Sequence, residues 1–153
     1  MSQAPDSPQP LQVVVHGQYV QDLSFESPNA PAIFQQLQKA PTIEVSVNLS
    51  TRKIEETVHE VSLMLRLQSK TESAVAFIAE VAYNGLFGIP ANIPNDVLMP
   101  FLYIEAPRLL FPFARAVLAN AVRDGGFPQI LLNPVDFELL YQQQLAKNNN
   151  QIV

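Results

Sequence analysis

The chain has 153 residues, no cysteine, nine basic and fourteen acidic side chains, a net charge of −5 and 48% hydrophobic residues, with a mean hydropathy of +0.09. That length fits one domain able to bury roughly two-thirds of its unfolded surface. The lack of cysteine excludes a disulfide framework, a thiol nucleophile and a zinc knuckle, and the acidic balance argues against a binder of nucleic-acid phosphates.

Residues 1–10 are polar and proline-rich, without the basic start or apolar run of a secretory signal. They read as a disordered segment of a cytoplasmic protein. From Leu11 the apolar residues recur with period two, as in a half-buried strand. Val13, Val15, Tyr19, Leu23 and Phe25 fall on one face, and His16, Gln18, Asp22, Ser24 and Glu26 on the other. Pro28 stops the strand. The connection 27–41 offers one or two helical turns bearing Ile33, Phe34 and Leu37, and is long for a hairpin, so the first two strands need not be neighbours. Alternation then predicts strands over 43–49, 57–68 and 73–83, each with one apolar and one mixed face. The implied fold is α+β: a four-stranded antiparallel sheet with two C-terminal helices packed on one face and the other face solvent-exposed. Residues 11–145 form the single domain, and 146–153 a flexible tail.

The connection 84–106 is rich in glycine and proline yet apolar, so part of it must pack or bind something. A helix follows to Asp124, beginning near Phe111 or kinked at Pro112, and ends at Gly125-Gly126, where glycine suits the left-handed cap. Leu110, Phe113, Ala114, Val117 and Ala121 share one side of it, and Phe111, Leu118 and Val122 widen that side to roughly half the circumference. Such an arc suggests two apolar neighbours, the sheet and something else. Asn133 suits the N-cap of a second helix, with Pro134 at its first position and Asp136 near the positive end of its dipole. Val97 to Val122 is the most apolar region, but prolines, Glu105, Arg108 and Arg115 interrupt it, which argues against a membrane span of about 20 apolar residues.

Catalytic chemistry is scarce. His16 and His59 are the only imidazoles, and their acidic neighbours lack metal-ligand spacing. No phosphate loop, nucleophile elbow or paired-carboxylate motif is present. Tyr103 and Glu105 could serve as acid and base in a cavity between sheet and helices, the reading a small-ligand carrier or cofactor-free enzyme would need. A peripheral membrane protein using 97–113 is a third reading. Two features stand out from this background. Asp22 and Glu26 share a mixed strand face, as do Ile78 and Glu80, which together would make a flat acidic patch suited to a basic partner. Phe34, Leu37, Phe87 and Phe127 lie in or beside connections and exceed what one small core needs, as a groove for apolar peptide would require.

Three stretches, Tyr19 to Pro31 (YVQDLSFESPNAP), Phe77 to Phe87 (FIAEVAYNGLF) and Leu110 to Phe137 (LFPFARAVLANAVRDGGFPQILLNPVDF), resemble in order and spacing the bacterial protein-export chaperone family SecB. The resemblance implies a cytosolic holdase, not an enzyme, with no cofactor, no metal and no catalytic residue. Its partners would be unfolded precursors of secreted proteins and the translocation ATPase SecA, with no nucleic acid and no direct membrane insertion. It implies a homotetramer, a dimer of dimers, with the long helix at the interface through Ala114, Val117, Leu118 and Ala121. Asp22, Glu26, Ile78 and Glu80 become candidates for SecA contact, and Phe34, Leu37, Phe87 and Phe127 for the client groove. Gln21 departs from the family, which commonly has a basic residue there, and the Asn/Gln-rich tail departs from the family's auxiliary SecA contact.

Overall fold

The computed structural model describes residues 11–150; the segment 1–10 and the last residues of the tail, 151–153, lie outside them. Strands β1 (Val14–Glu26), β2 (Thr42–Glu55), β3 (Val58–Lys70) and β4 (Val75–Gly88) form one antiparallel sheet in the order β1-β4-β3-β2. A two-residue turn, Glu56-Thr57, joins β2 to β3, and Thr71 closes the next turn through bonds with Ala74. The segment 27–41 therefore crosses from one edge of the sheet to the other, as its length suggests. Ser27 and Asn29 tie its start to the Ala76 and Val75 carbonyls, and a single 3₁₀ turn, Ala32–Gln35, buries Ile33.

Register decides which side chains face the helices. Residues of odd number in β3 and β4, including Val61, Leu63, Leu65, Leu67, Phe77, Ala79 and Val81, form the buried inner face. β1 departs from simple alternation because register shifts occur between Val15 and Gly17 and between Val20 and Asp22. Each inserted residue reverses the parity of what precedes it. Tyr19, expected on the apolar face, thus lies opposite Asn84 on the outer face, while Gln18 turns inward and accepts a bond from the Tyr83 hydroxyl.

The sheet also runs further than the alternation suggests. Asn84 and Gly85, which read as the opening of a loop, are interior residues of β4. The Asn84 side chain donates to Gln21 and Tyr19. Gly85 leaves the space that the Leu110 side chain and the Phe87 ring need to come close. The apolar connection beyond is largely helical: α1 (Asn95–Pro100), a π turn (Phe101–Glu105) and α2 (Ala106–Asp124) run on without a break. The π turn is closed by the Ala106 N–H on the Phe101 carbonyl. Pro112 neither starts nor ends a helix; it sits inside α2 on the exposed side, where the carbonyl it leaves unpaired can face water. By length and mean hydropathy (1.3) the run Asn95–Asp124 could cross a membrane. Its Ala106, Leu110, Ala114, Leu118 and Val122, however, are buried on the sheet, which makes it the core helix.

α2 ends as the glycine pair suggests, and the two glycines do different jobs. Gly126 adopts φ +93°, with Phe127 N–H bonded to the Val122 carbonyl at 3.2 Å and Gly126 N–H to that of Arg123 at 3.0 Å, a Schellman cap. Gly125 is not left-handed; a Cβ there would overlap the Phe25 ring. α3 (Phe137–Asn150) begins later than expected. Asp136, rather than Asn133, caps it, its carboxylate accepting the Leu139 N–H at 3.1 Å. Residues 146–150, assigned to the tail from the sequence, continue this helix.

The helical run crosses the sheet obliquely. Tyr103 reaches Thr51 on β2, Leu110 meets Gly85 on β4, and the C-terminal turn lies against Phe25 on β1. Substituting Gly126 tests the cap: Gly126→Ala should cost about 1–2 kcal/mol through the left-handed strain, whereas Gly17→Ala, which meets nothing within 4 Å, should stay within about 0.5 kcal/mol. Urea unfolding of both variants checks this.

Candidate functional site

Because the helix runs diagonally, two opposite corners of the inner face stay uncovered. From the β2–β3 turn to past the middle of the sheet, β1 exposes Val15, Val20 and Leu23, and the exposed Phe113 of α2 stacks on Tyr83, the cross-strand partner of Val20. At the other end of the sheet, β2 exposes Ile43 and Val45, the latter at 47%. That second corner adjoins an aromatic cluster. Phe127 contacts Phe77, Phe34 and Phe25 with centroids 4.9, 5.1 and 6.1 Å apart, and Phe25 stacks on Phe77 at 5.7 Å. Phe77 and Phe127 are buried, Leu37 is half-buried, and Phe34 is 42% exposed. The cluster pins the crossover segment to the end of α2 and leaves one ring, Phe34, on the surface, an apolar trough at the end of the sheet where β2 is the edge strand.

The outer face carries the other predicted set. Across the order β1-β4-β3-β2, register places Glu26, Ile78, Gln68 and Glu44 in one row, Ser24, Glu80, Arg66 and Ser46 in the next, and Asp22, Ala82, Met64 and Asn48 in the third. Asp22, Glu26, Ile78 and Glu80 are therefore neighbours on one solvent-facing surface. Arg66 Nε donates to Glu80 Oε1 at 2.6 Å, while Asp22 and Glu26 have no basic partner within 4 Å among the described residues. Beyond them, Tyr19 donates to Glu60, Arg52 pairs with Glu60 at 3.3 Å, and Asn84 lies buried beneath. The bond to the Glu60 carboxylate raises the Tyr19 phenol above its ordinary value.

Other expected residues are placed elsewhere. Phe87 is fully buried, edge-on to Phe101, and does not join the trough. Ala114 and Leu118 point into the sheet and are fully covered by it, and Val117 and Ala121 are half-buried. The open side of α2 is instead Leu109, Pro112, Phe113 and Ala116. Tyr103 stacks on Tyr141 at 5.6 Å and Glu105 bonds Arg108 at 3.0 Å, so the two do not converge. Among the described residues no group of three His, Asp or Glu could hold a metal. His16 lies over Gly88, and His59 faces inward opposite Lys53. The residues that sequence reasoning missed are Ile43 and Val45, whose alternation was visible but whose lack of cover depends on the helix angle.

Open apolar corners and an open polar sheet face are surfaces of the kind a binding protein presents. The family model described as preprotein translocase subunit SecB matches residues 6–148. The "Protein-export protein SecB" of Zymomonas mobilis is 52% identical over 90% of this chain and 83% of its own length. That of Sphingopyxis alaskensis is 51% identical over 84% and 73%, and that of Rhodopseudomonas palustris 46% over 96% and 92%. Among solved structures, a SecB-like chaperone from Mycobacterium tuberculosis in complex with a ChAD peptide from an antitoxin shares the fold. Its TM-score is 0.67 at 11% identity, covering 80% of this chain and 90% of that one. The chain belongs to the SecB family of protein-export chaperones, which are not enzymes.

Burial, and secondarily Lys53, lowers the His59 pKa below its ordinary value of 6.5. Between the two values the unfolded chain binds more protons than the folded one, so stability falls as pH drops through about 6.5. Urea midpoints at pH 7.5 and 5.5 should therefore differ more for the wild type than for His59→Gln; equal differences would contradict the assignment.

Proposed function

We propose that the protein is a cytoplasmic holdase that binds unfolded precursors of secreted proteins and passes them to the SecA motor, working as a homotetramer built from two dimers. The observation that carries the client reading is the trough at Phe34, Phe127 and Leu37 beside the uncovered Ile43 and Val45. An unfolded chain offers scattered apolar side chains and free backbone groups. An apolar trough beside a strand edge accepts both without demanding a sequence, and several such sites on one assembly add by avidity. The peptide held by the Mycobacterium tuberculosis chaperone supports the reading that this kind of fold can take a peptide.

Assembly is the natural role of the other corner, where Val15, Val20 and Leu23 of β1 and Leu109 and Phe113 of α2 are exposed together. A second copy covering them would bury apolar area in the way obligate interfaces do. This shifts the expected helix interface from Ala114 and Leu118 to the opposite side of α2, with Val117 and Ala121 at its margin. For SecA the outer face is the docking surface, with Asp22 and Glu26 supplying free charge and Ile78 an apolar spot between acids.

Two outcomes test these roles. Stoichiometric protein should slow the refolding of a slow-folding precursor without nucleotide, and Phe34→Ser should weaken client binding by about fivefold or more while keeping the assembly size on a sizing column. Unchanged refolding, with no complex recovered, would remove the holdase reading. Asp22→Lys should weaken SecA binding in a salt-dependent way and leave client binding intact; unaltered SecA affinity would count against the outer face.

A further inference from the structure

On the outer face Arg52 and Lys70 pair with Glu60 and Glu44, and a third basic side chain, Arg66, sits beside the acids Asp22, Glu26 and Glu80. Arg66 of β3 lies directly opposite Glu80 of β4. Its Nε donates to Glu80 Oε1 at 2.6 Å and its Nη1 to Gln68 Oε1 at 3.3 Å. Both ends of the ion pair are about half exposed. The pair forms one wall of a shallow depression of about 290 Å³, with Asp22 on the far side and Met64 and Ala82 between. Asp22 is one row from Glu80, roughly 7 Å along the strands.

We propose that Arg66 is a built-in competitor for Glu80 that sets how tightly this face holds a basic segment of its partner. The inference rests on the reading of this face as the docking surface for SecA. A Lys or Arg of the partner that approaches Glu80 meets a carboxylate already neutralised by a guanidinium. It must either displace Arg66, exchanging one exposed ion pair for another, or stay away under like-charge repulsion. Exposed pairs of this kind differ little in free energy, so Glu80 contributes little net attraction while Arg66 is present. Asp22 and Glu26, without such a partner, supply the attraction instead. Docking is then weak and quickly reversed, which suits a protein that must hand over a client and leave.

Arg66→Gln keeps much of the reach and removes the charge, and because the pair is half exposed the fold should tolerate it; a thermal melt confirms this. Two titrations read the consequence, one with purified SecA and one with a short lysine- and arginine-rich peptide. We expect Arg66→Gln to bind both at least about threefold more tightly than the wild type, with the gain shrinking at high salt and falling clearly when Glu80→Gln is also present. An unchanged or weaker affinity would overturn the proposal and make Arg66 a positioning residue for Glu80. An equal gain with and without Glu80 would also overturn it, leaving only the general field of one removed charge. If SecA binds no form of the protein, the docking reading fails, while the peptide titration still decides the competition at Glu80.

Discussion

A helix with its side chains is about 10 Å across, and neighbouring strands are about 4.8 Å apart. One helix therefore covers about two strands, and this sheet has four. The rest of the molecule follows from that mismatch. α2 lies over β3 and β4, which read as nearly continuous buried surface, and its oblique path strips cover from β1 at one end and from β2 at the other. A protein that had only to be stable would fill both corners with further helix. α3 does not, since its side chains from Gln142 to Asn149 are exposed. The open corners are thus part of the design, and they account for a mean hydropathy that is high for so small a domain.

The aromatic cluster makes one corner usable. Without it the crossover segment would be a long loop with few backbone bonds after Gln36. Phe127, placed by the Schellman cap immediately after α2, grips Phe34 from one side and Phe77 and Phe25 from the other. The glycine pair is what allows this: Gly126 supplies the left-handed turn, and Gly125 the clearance for the Phe25 ring. A local backbone requirement is in this way tied to the shape of a surface formed by four separate elements.

The sequence was most readable where period alone decides. The alternation in β3 and β4 identified the inner face correctly and put Ile78 and Glu80 on the opposite one, and the alternation in β1 put Asp22 and Glu26 there too because both lie beyond its second bulge. It misplaced Tyr19 and Gln18, upstream of that bulge, since nothing local marks an inserted residue at Gln21. Asn84-Gly85 looked like a turn because those residues usually make one; here the amide is held by Gln21 and Tyr19 from a strand far away in sequence. Asp136 and Asn133 are both good N-caps, and the packing of Phe137 on Phe111 favours the later start. The wide apolar arc of α2 was legible, but which half meets the sheet was not. Phe87 shows the same limit: its parity is inward, but only the path of Phe101 over it closes that end of the core.

The proposed client corner and the proposed docking face lie on opposite sides of one sheet, so in this reading client and motor would not compete for the same residues. The most direct test replaces single residues by a photo-crosslinking amino acid and exposes each variant to an unfolded precursor. Val45, on the uncovered inner corner, and Met64, on the outer face, are apolar and comparably exposed at 47% and 37%, so hydrophobicity alone does not separate them. Crosslinks to the precursor at positions 34 and 45, with little at 64, are the predicted result. Crosslinking that is equal at all three, or strongest at 64, would contradict the assignment of the trough.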